Sequence, residues 1–291
     1  MKTDNEIIIL QPRNLIELDS MLLHSDKNFQ FIGGGTDLLV QDEKWESYKN
    51  IIDLKSVKEI SSEIIIKDNY LYIGATKCYS DIINNNFIKE FFPIIISGFR
   101  QIGSVQIQNR GTIGGNICNA SPAGDSLPIL SVLDAELLIG PKEDGKFKII
   151  ELNKFYTGFK TFNLSKNEYI AYVRIKIPEE KYSFWYFRKV GQRYSMAISK
   201  VSLALVLNFK ENIVKDIKIS TGSVKPFIKR ETEIENFIIN KELNYSLINE
   251  ASEKIKINIS PITDIRSKMR FREYLTCQLL KEALINAMNV L

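Results

Sequence analysis

The chain has one histidine, His24, and three cysteines, Cys78, Cys118 and Cys277, in 291 residues. A single histidine argues against a Ser-His-Asp triad and against a multi-histidine metal site. The cysteines are far apart, with no C-x-x-C pair, which disfavours disulfide scaffolding, a zinc site and a self-contained iron–sulfur cluster. A reducing cytoplasm fits that usage. No run of about 18 apolar residues exists to span a membrane. Residues 1–6, MKTDNE, lack the apolar core of a signal peptide. Charge of one sign is also missing: the net is +4, and basic and acidic residues are interspersed, so no nucleic-acid surface stands out. What is present is ordinary for a globular protein, 44% hydrophobic and 25% charged residues. An enrichment in Ile, Lys and Asn reads as compositional bias. The length suits two domains.

Residues 7–10, 29–32 and 51–54 read as short strands, and 14–23 has the helical spacing of Leu15, Leu18 and Leu22. Residues 64–66 and 70–73 read as a hairpin about the turn 67–69. Ser80 is a candidate cap for a helix over 81–85. Residues 87–102 look helical, with a break or an N-terminal turn at Pro93. Residues 127–133 form an apolar packing segment. Residues 135–139 and 147–150 read as strands around the turn 142–145, and 169–177 as a strand stopped by Pro178. Beyond it, 184–190, 201–209 and 214–221 look like antiparallel strands, with 210–212 as a turn. Two or three helices follow, one over 268–288. The pattern shift at Pro178 places a domain boundary there.

Two glycine-rich stretches carry the chemistry. The first is Gly33-Gly34-Gly35-Thr36-Asp37, directly after an apolar strand. The second runs Gly111-Thr112-Ile113-Gly114-Gly115-Asn116 and on to Ser121-Pro122-Ala123-Gly124-Asp125. Bunched glycines let backbone N–H groups converge on an anion, because no Cβ blocks the approach. Two such loops can hold the two phosphates of a dinucleotide. The plainer readings are a tight turn for the first and an irregular crossover with a glycine bulge for the second. In the phosphate reading Thr36 offers a hydroxyl, Asp37 orders its loop by accepting backbone N–H bonds, and Asp125 accepts from ribose hydroxyls. Neither stretch is G-x-G-x-x-G or a P-loop.

Together, FIGGGTDLLV (31–40) and NRGTIGGNICNASPAGDSLP (109–128) closely resemble the two flavin-binding signatures of the FAD-binding medium subunit of molybdenum hydroxylases. These are the xanthine dehydrogenase, carbon monoxide dehydrogenase and nicotinate dehydrogenase type enzymes. The segments KVGQRYSMAISKV (189–201) and SKMRFREYL (267–275) are similar to parts of that family's second domain, so the likeness covers nearly the whole chain. It implies an α+β fold. An FAD-binding domain of the vanillyl-alcohol oxidase type spans 1–177, in subdomains of about 1–58 and 59–177. A small antiparallel-sheet-plus-helices domain follows over 178–291. It implies that Phe31, Ile32, Gly33, Gly34, Gly35, Thr36, Asp37 and Leu38 wrap the FAD pyrophosphate. Ile102 packs against the cofactor, and Thr112, Ile113, Gly114, Gly115 and Asn116 form a second cradle. Asp125 holds an FAD hydroxyl or the adenosine side. Tyr172 and Lys189 fall at two later contact positions, where a cation can stabilise negative charge on reduced flavin.

The resemblance also implies non-covalent FAD, since Thr36 stands where some relatives of the wider superfamily attach flavin through histidine. The isoalloxazine carries the chemistry, so no catalytic side chain or metal ligand is expected in this chain. Electrons would arrive from 2Fe–2S clusters on a small partner subunit, having left a molybdopterin centre on a large one. They would pass to NAD or another acceptor, with xanthine or another purine as the substrate of the complex. His24 reads as a surface or capping residue, Cys118 as packing, and Trp185, Tyr186 and Phe187 as sheet and domain-interface packing. The rival readings are a stand-alone FAD-dependent reductase, like UDP-N-acetylenolpyruvoylglucosamine reductase, and a non-catalytic flavin-binding relay.

Overall fold

The computed structural model describes residues 7–24, 28–41, 47–193 and 196–290. Residues 1–6, read above for a signal sequence, and Tyr194 and Ser195 of the 189–201 segment lie outside them. The chain opens with β1 (Ile8–Leu10), β2 (Phe29–Ile32) and β3 (Asn50–Asp53), a parallel sheet in the order β1-β3-β2. Parallel neighbours need a crossover. Between β1 and β2 it is made by α1 (Leu15–His24), which buries Leu15, Leu18 and Leu22 as their spacing predicts.

A second sheet combines β4 (Ile64–Lys67), β5 (Tyr70–Gly74), β6 (Glu136–Glu143) and β7 (Lys146–Glu151). After the short hairpin of β8 (Tyr156–Gly158) and β9 (Thr161–Phe162), it is completed by β10 (Tyr169–Lys176). Its order is β4-β5-β10-β6-β7, antiparallel throughout. Two tight turns inside it, Asp68–Asn69 and Asp144–Gly145, put both central residues at positive φ. That geometry matches strand twist and favours Asn, Asp and Gly. Short helices cover this sheet: α2 (Lys58–Ser62), α3 (Tyr79–Asn84), α4 (Asn86–Phe91), α5 (Pro93–Phe99), α6 (Val105–Arg110), α7 (Ile113–Asn119), α8 (Ser126–Val132) and α9 (Leu152–Phe155).

The last third is an antiparallel sheet, β11 (Phe184–Val190), β12 (Val201–Lys210), β13 (Ile213–Gly222) and β14 (Lys229–Arg230) in sequence order. The helices α10 (Thr232–Ile238), α11 (Tyr245–Asn258) and α12 (Met269–Met288) pack on one of its faces. β12 joins two cores. Val201, Leu203, Leu205 and Leu207 face the three helices, while Ala204 and Val206 belong to the core around α5 and α8. Period-two alternation with apolar residues on both faces marks a strand buried on both sides.

Several sequence expectations change. Ser80 does not cap a helix: α3 begins at Tyr79 with Cys78 at the cap position. Pro93 opens α5 at its first position, where a missing N–H costs nothing. The stretch 127–132 is helical within α8, with Leu133 at its C-terminal cap. In the second glycine stretch, 113–116 is neither loop nor bulge but the first turn of α7, while 121–125 is the loop between α7 and α8. Helix α6, just ahead of it, has no apolar face and leaves no periodic signal; none of its residues is buried.

Candidate functional site

Residues 31–38 leave the end of β2 and run across the N-terminal side of α7. The contact is close. A Cβ on Gly34 would penetrate the Arg110 carbonyl oxygen, and one on Gly33 would stand 2.7 Å from Thr112 Oγ1. A Cβ on Gly114 would come within 2.8 Å of the Ala75 carbonyl oxygen. These three glycines are therefore required by segment-to-segment packing. Gly35, at φ +74°, is required by its backbone turn. Gly115 differs: a Cβ there would meet only Thr112 Oγ1 and otherwise face open space.

That open space is a cleft of two adjoining cavities, about 380 and 400 Å³, which share Gln30, Phe31, Gly33, Thr112, Gly115 and Phe162 as walls. The volumes suit a small-molecule site. The second cavity is lined by all of residues 31–38 and by Ile102, Thr112, Gly115 and Asn116. Gly114 lines only the first. Ile113 is fully buried beneath them.

The two glycine stretches offer different chemistry. In the first, the N–H groups of Gly34, Gly35 and Thr36 donate to nothing among the described residues, and neither does the Thr36 hydroxyl. In the second, the N–H groups of residues 113–116 are engaged. Ile113 N donates to Lys77 O at 3.2 Å, Gly114 N to Ala75 O at 2.8 Å and Asn116 N to Thr112 O at 3.0 Å. Gly115 N donates to the capping Thr112 Oγ1 at 3.2 Å. A run of three consecutive free donors thus lies in the first stretch, while the glycines of the second supply a close wall. Asn116 accepts from Ser126 Oγ at 2.6 Å through Oδ1, which leaves its amide NH₂ facing the cavity without an acceptor among the described residues. Asp37 does not order its loop through backbone N–H groups. It is exposed and accepts from Gln41 Nε2 at 2.8 Å.

Besides Ile113, three expected contact residues line neither cavity. Lys189 on β11 donates to Asp125 Oδ2 at 2.5 Å and to Gln101 O at 3.1 Å. Asp125 also accepts from Ser199 Oγ. The pair is buried, with side chains 7% and 8% exposed, directly behind Ile102. Burial pushes the Asp125 carboxyl above the usual carboxylate range, while Lys189 and Ser199 pull it back. Tyr172 lies in a small core with Tyr72 and Phe147, and its hydroxyl donates to Glu63 Oε2 at 2.9 Å.

The structure adds wall residues that the sequence did not single out: Tyr79, Lys160, Phe162, Lys166 and Tyr169. Lys160 stands in the turn between β8 and β9 at φ +53°, a turn the sequence reading did not mark. Cys118 lines both cavities, and burial pushes its thiol up to about 12. Among the described residues no group of His, Cys, Asp and Glu could hold a metal ion, and no helix is long and apolar enough to cross a membrane.

Comparison with known proteins places this geometry. Residues 4–179 match the FAD binding domain in molybdopterin dehydrogenase, and 185–287 match the CO dehydrogenase flavoprotein C-terminal domain. The glyceraldehyde dehydrogenase medium chain of Sulfolobus acidocaldarius is 30% identical over 86% of this chain and 87% of that one. The xanthine dehydrogenase FAD-binding subunit of Escherichia coli O157:H7 is 25% identical over 91% of both. Among solved structures, carbon monoxide dehydrogenase from Hydrogenophaga pseudoflava superposes with a TM-score of 0.89 at 20% identity, over 98% of both chains.

Proposed function

This chain belongs to the family of FAD-binding medium subunits of molybdenum hydroxylases, and on that premise we propose that it is the electron-transfer subunit of such a complex. It passes electrons from 2Fe–2S clusters on a small partner subunit, through FAD, to NAD⁺ or another acceptor. One observation carries the cofactor reading: three consecutive backbone donors without an acceptor among the described residues, Gly34, Gly35 and Thr36, line a cavity that is also lined by Gly115, which has no side chain. Unsatisfied N–H groups are rare in folded proteins and point to an anionic acceptor, here a diphosphate.

Bound FAD supplies the redox chemistry. The chain's residues hold and orient it. Residues 33–36 take the diphosphate, with the Thr36 hydroxyl as a further donor. Gly115 permits close approach, and the Asn116 amide offers hydrogen bonds. Phe31, Ile102 and Phe162 give apolar walls that exclude water. Asp125 and Lys189 act one layer back, by fixing residues 101–102 and hence the Ile102 wall. Chain division at 177/178, with a subdivision near residue 58, is part of the same proposal; Pro178 follows β10, and the two family matches meet near it. The three cysteines are all unpaired, in keeping with a reducing cytoplasm.

For the complex we propose a purine such as xanthine as substrate, supported by the xanthine dehydrogenase relative. The glyceraldehyde and nicotinate dehydrogenase relatives supply the competing substrates for the same assay. The test is purification with co-expressed neighbours, followed by flavin, iron and molybdenum analysis and anaerobic NADH addition. The expected result is a yellow complex with iron and molybdenum whose flavin absorbance bleaches with NADH. A colourless chain that neither binds FAD nor melts higher in its presence overturns the cofactor reading.

A further inference from the structure

A third cavity, about 650 Å³, lies outside the cofactor cleft, between α5, the 100–103 segment and β11. Helix spacing brings its wall together: Ser97 and Gln101 are four residues apart, as are Ile96 and Arg100, so one face of α5 and its extension lines it. Lys89 stands beside this face, and Trp185 of β11 closes the opposite side. No lining residue is acidic. The Arg100 guanidinium is exposed, and no ion pair or hydrogen bond engages it among the described residues. The Trp185 indole is 37% exposed and has no ring or cation partner there.

We propose that this cleft binds a nucleoside diphosphate group, with the base on the Trp185 indole and the phosphates on Arg100 and Lys89. A large exposed indole is a stacking surface for a planar base. A free guanidinium matches phosphate oxygens in pairs, and a neighbouring ammonium adds a point charge. The absence of carboxylates removes the repulsion an anion would meet. The cleft also borders the cofactor site. Gln101 and Gly103 line it, while Ile102 between them lines the cofactor cleft. On β11, Trp185, Phe187 and Lys189 share one face, running from this cleft to the buried Asp125 pair. The inference goes beyond the cofactor assignment and concerns a separate cavity.

The test is calorimetric titration of the FAD-bound full chain with ADP, with pyrophosphate and with adenosine, while flavin absorbance is recorded. ADP is expected to bind saturably without releasing flavin, and at least tenfold more tightly than either fragment. R100Q and W185F should each weaken ADP binding about tenfold and leave flavin content and Tm unchanged. In the free chain ADP should quench tryptophan emission. W185F, which keeps Trp45, should abolish that quench. Absence of ADP binding overturns the proposal, as does wild-type affinity in both variants. Pyrophosphate binding as tightly as ADP overturns the stacking role. Release of flavin by ADP assigns the binding to the cofactor cleft and overturns the separate site.

Discussion

Single glycines here do different jobs, and the difference is measurable. Gly34→Val places a branched side chain into the Arg110 backbone, which has no room to yield. It should lower the Tm of the flavin-free chain and abolish FAD binding. Gly115→Val points instead into the cofactor cleft, where its Cβ meets only the capping Thr112 Oγ1, at 2.7 Å. FAD occupancy should fall at least tenfold, while the flavin-free chain loses only what displacing that cap costs, about 1 kcal/mol. Equal thermal losses in the two variants would contradict this separation. Cys118 offers a pH test. Burial raises its thiol from the ordinary 9.0 to about 12. An acid raised on folding contributes stability that is complete below its unfolded value and is lost as pH rises through the folded one. Folded chain should therefore weaken between pH 9 and 12. At pH 8 its thiolate fraction should be about a thousandfold below that of a free cysteine, so alkylation should be slow until the chain is unfolded. Labelling of Cys118 at the rate of a free thiol would show that the site is open.

At the scale of elements, α7 is held by one side chain. Thr112 caps it by accepting from Gly115 N at 3.2 Å, and the same oxygen faces Gly33. Thr112→Ala should cost about 1 kcal/mol in urea unfolding, with Thr112→Ser close to wild type. FAD affinity should fall in the alanine variant, because the first turn of α7 walls the cofactor cleft; unchanged affinity would remove the cap from the binding argument. Most strands were legible from the chain because alternation and tight-turn residues act locally: Asp68–Asn69 and Asp144–Gly145 sit where two hydrophobic runs meet. The site was legible as residue types, since clustered glycines and Thr36 signal their own purpose. Its partners were not. That Lys189 would reach Asp125, 64 positions earlier, follows from the way β11 lies on α5, which no local pattern records. Likewise α7 reads as a loop because Ile113-Gly114-Gly115 has poor helix propensity, and its first turn is held by the cap and the Ala75 and Lys77 carbonyls.

Across the whole molecule, the buried Asp125–Lys189 pair ties the C-terminal sheet to the cofactor-binding part. Lys189→Met alone strands a buried carboxylate and should cost about 3–5 kcal/mol, as Asp125→Asn strands the ammonium in part. The double variant should recover much of the loss in urea unfolding, and flavin content should drop in each single variant as the Ile102 wall loosens. Additive losses would mean that the two groups do not act as a pair. A second device joins the same two parts. Every other side chain of β12 belongs to a different core, so the strand is a party wall between two households. Recombination between relatives feels this. A hybrid spliced at Pro178 inherits Ala204 and Val206 from one parent and the α5–α8 surface they must fit from the other, so shuffled genes keep their function only when those few contacts are transplanted together.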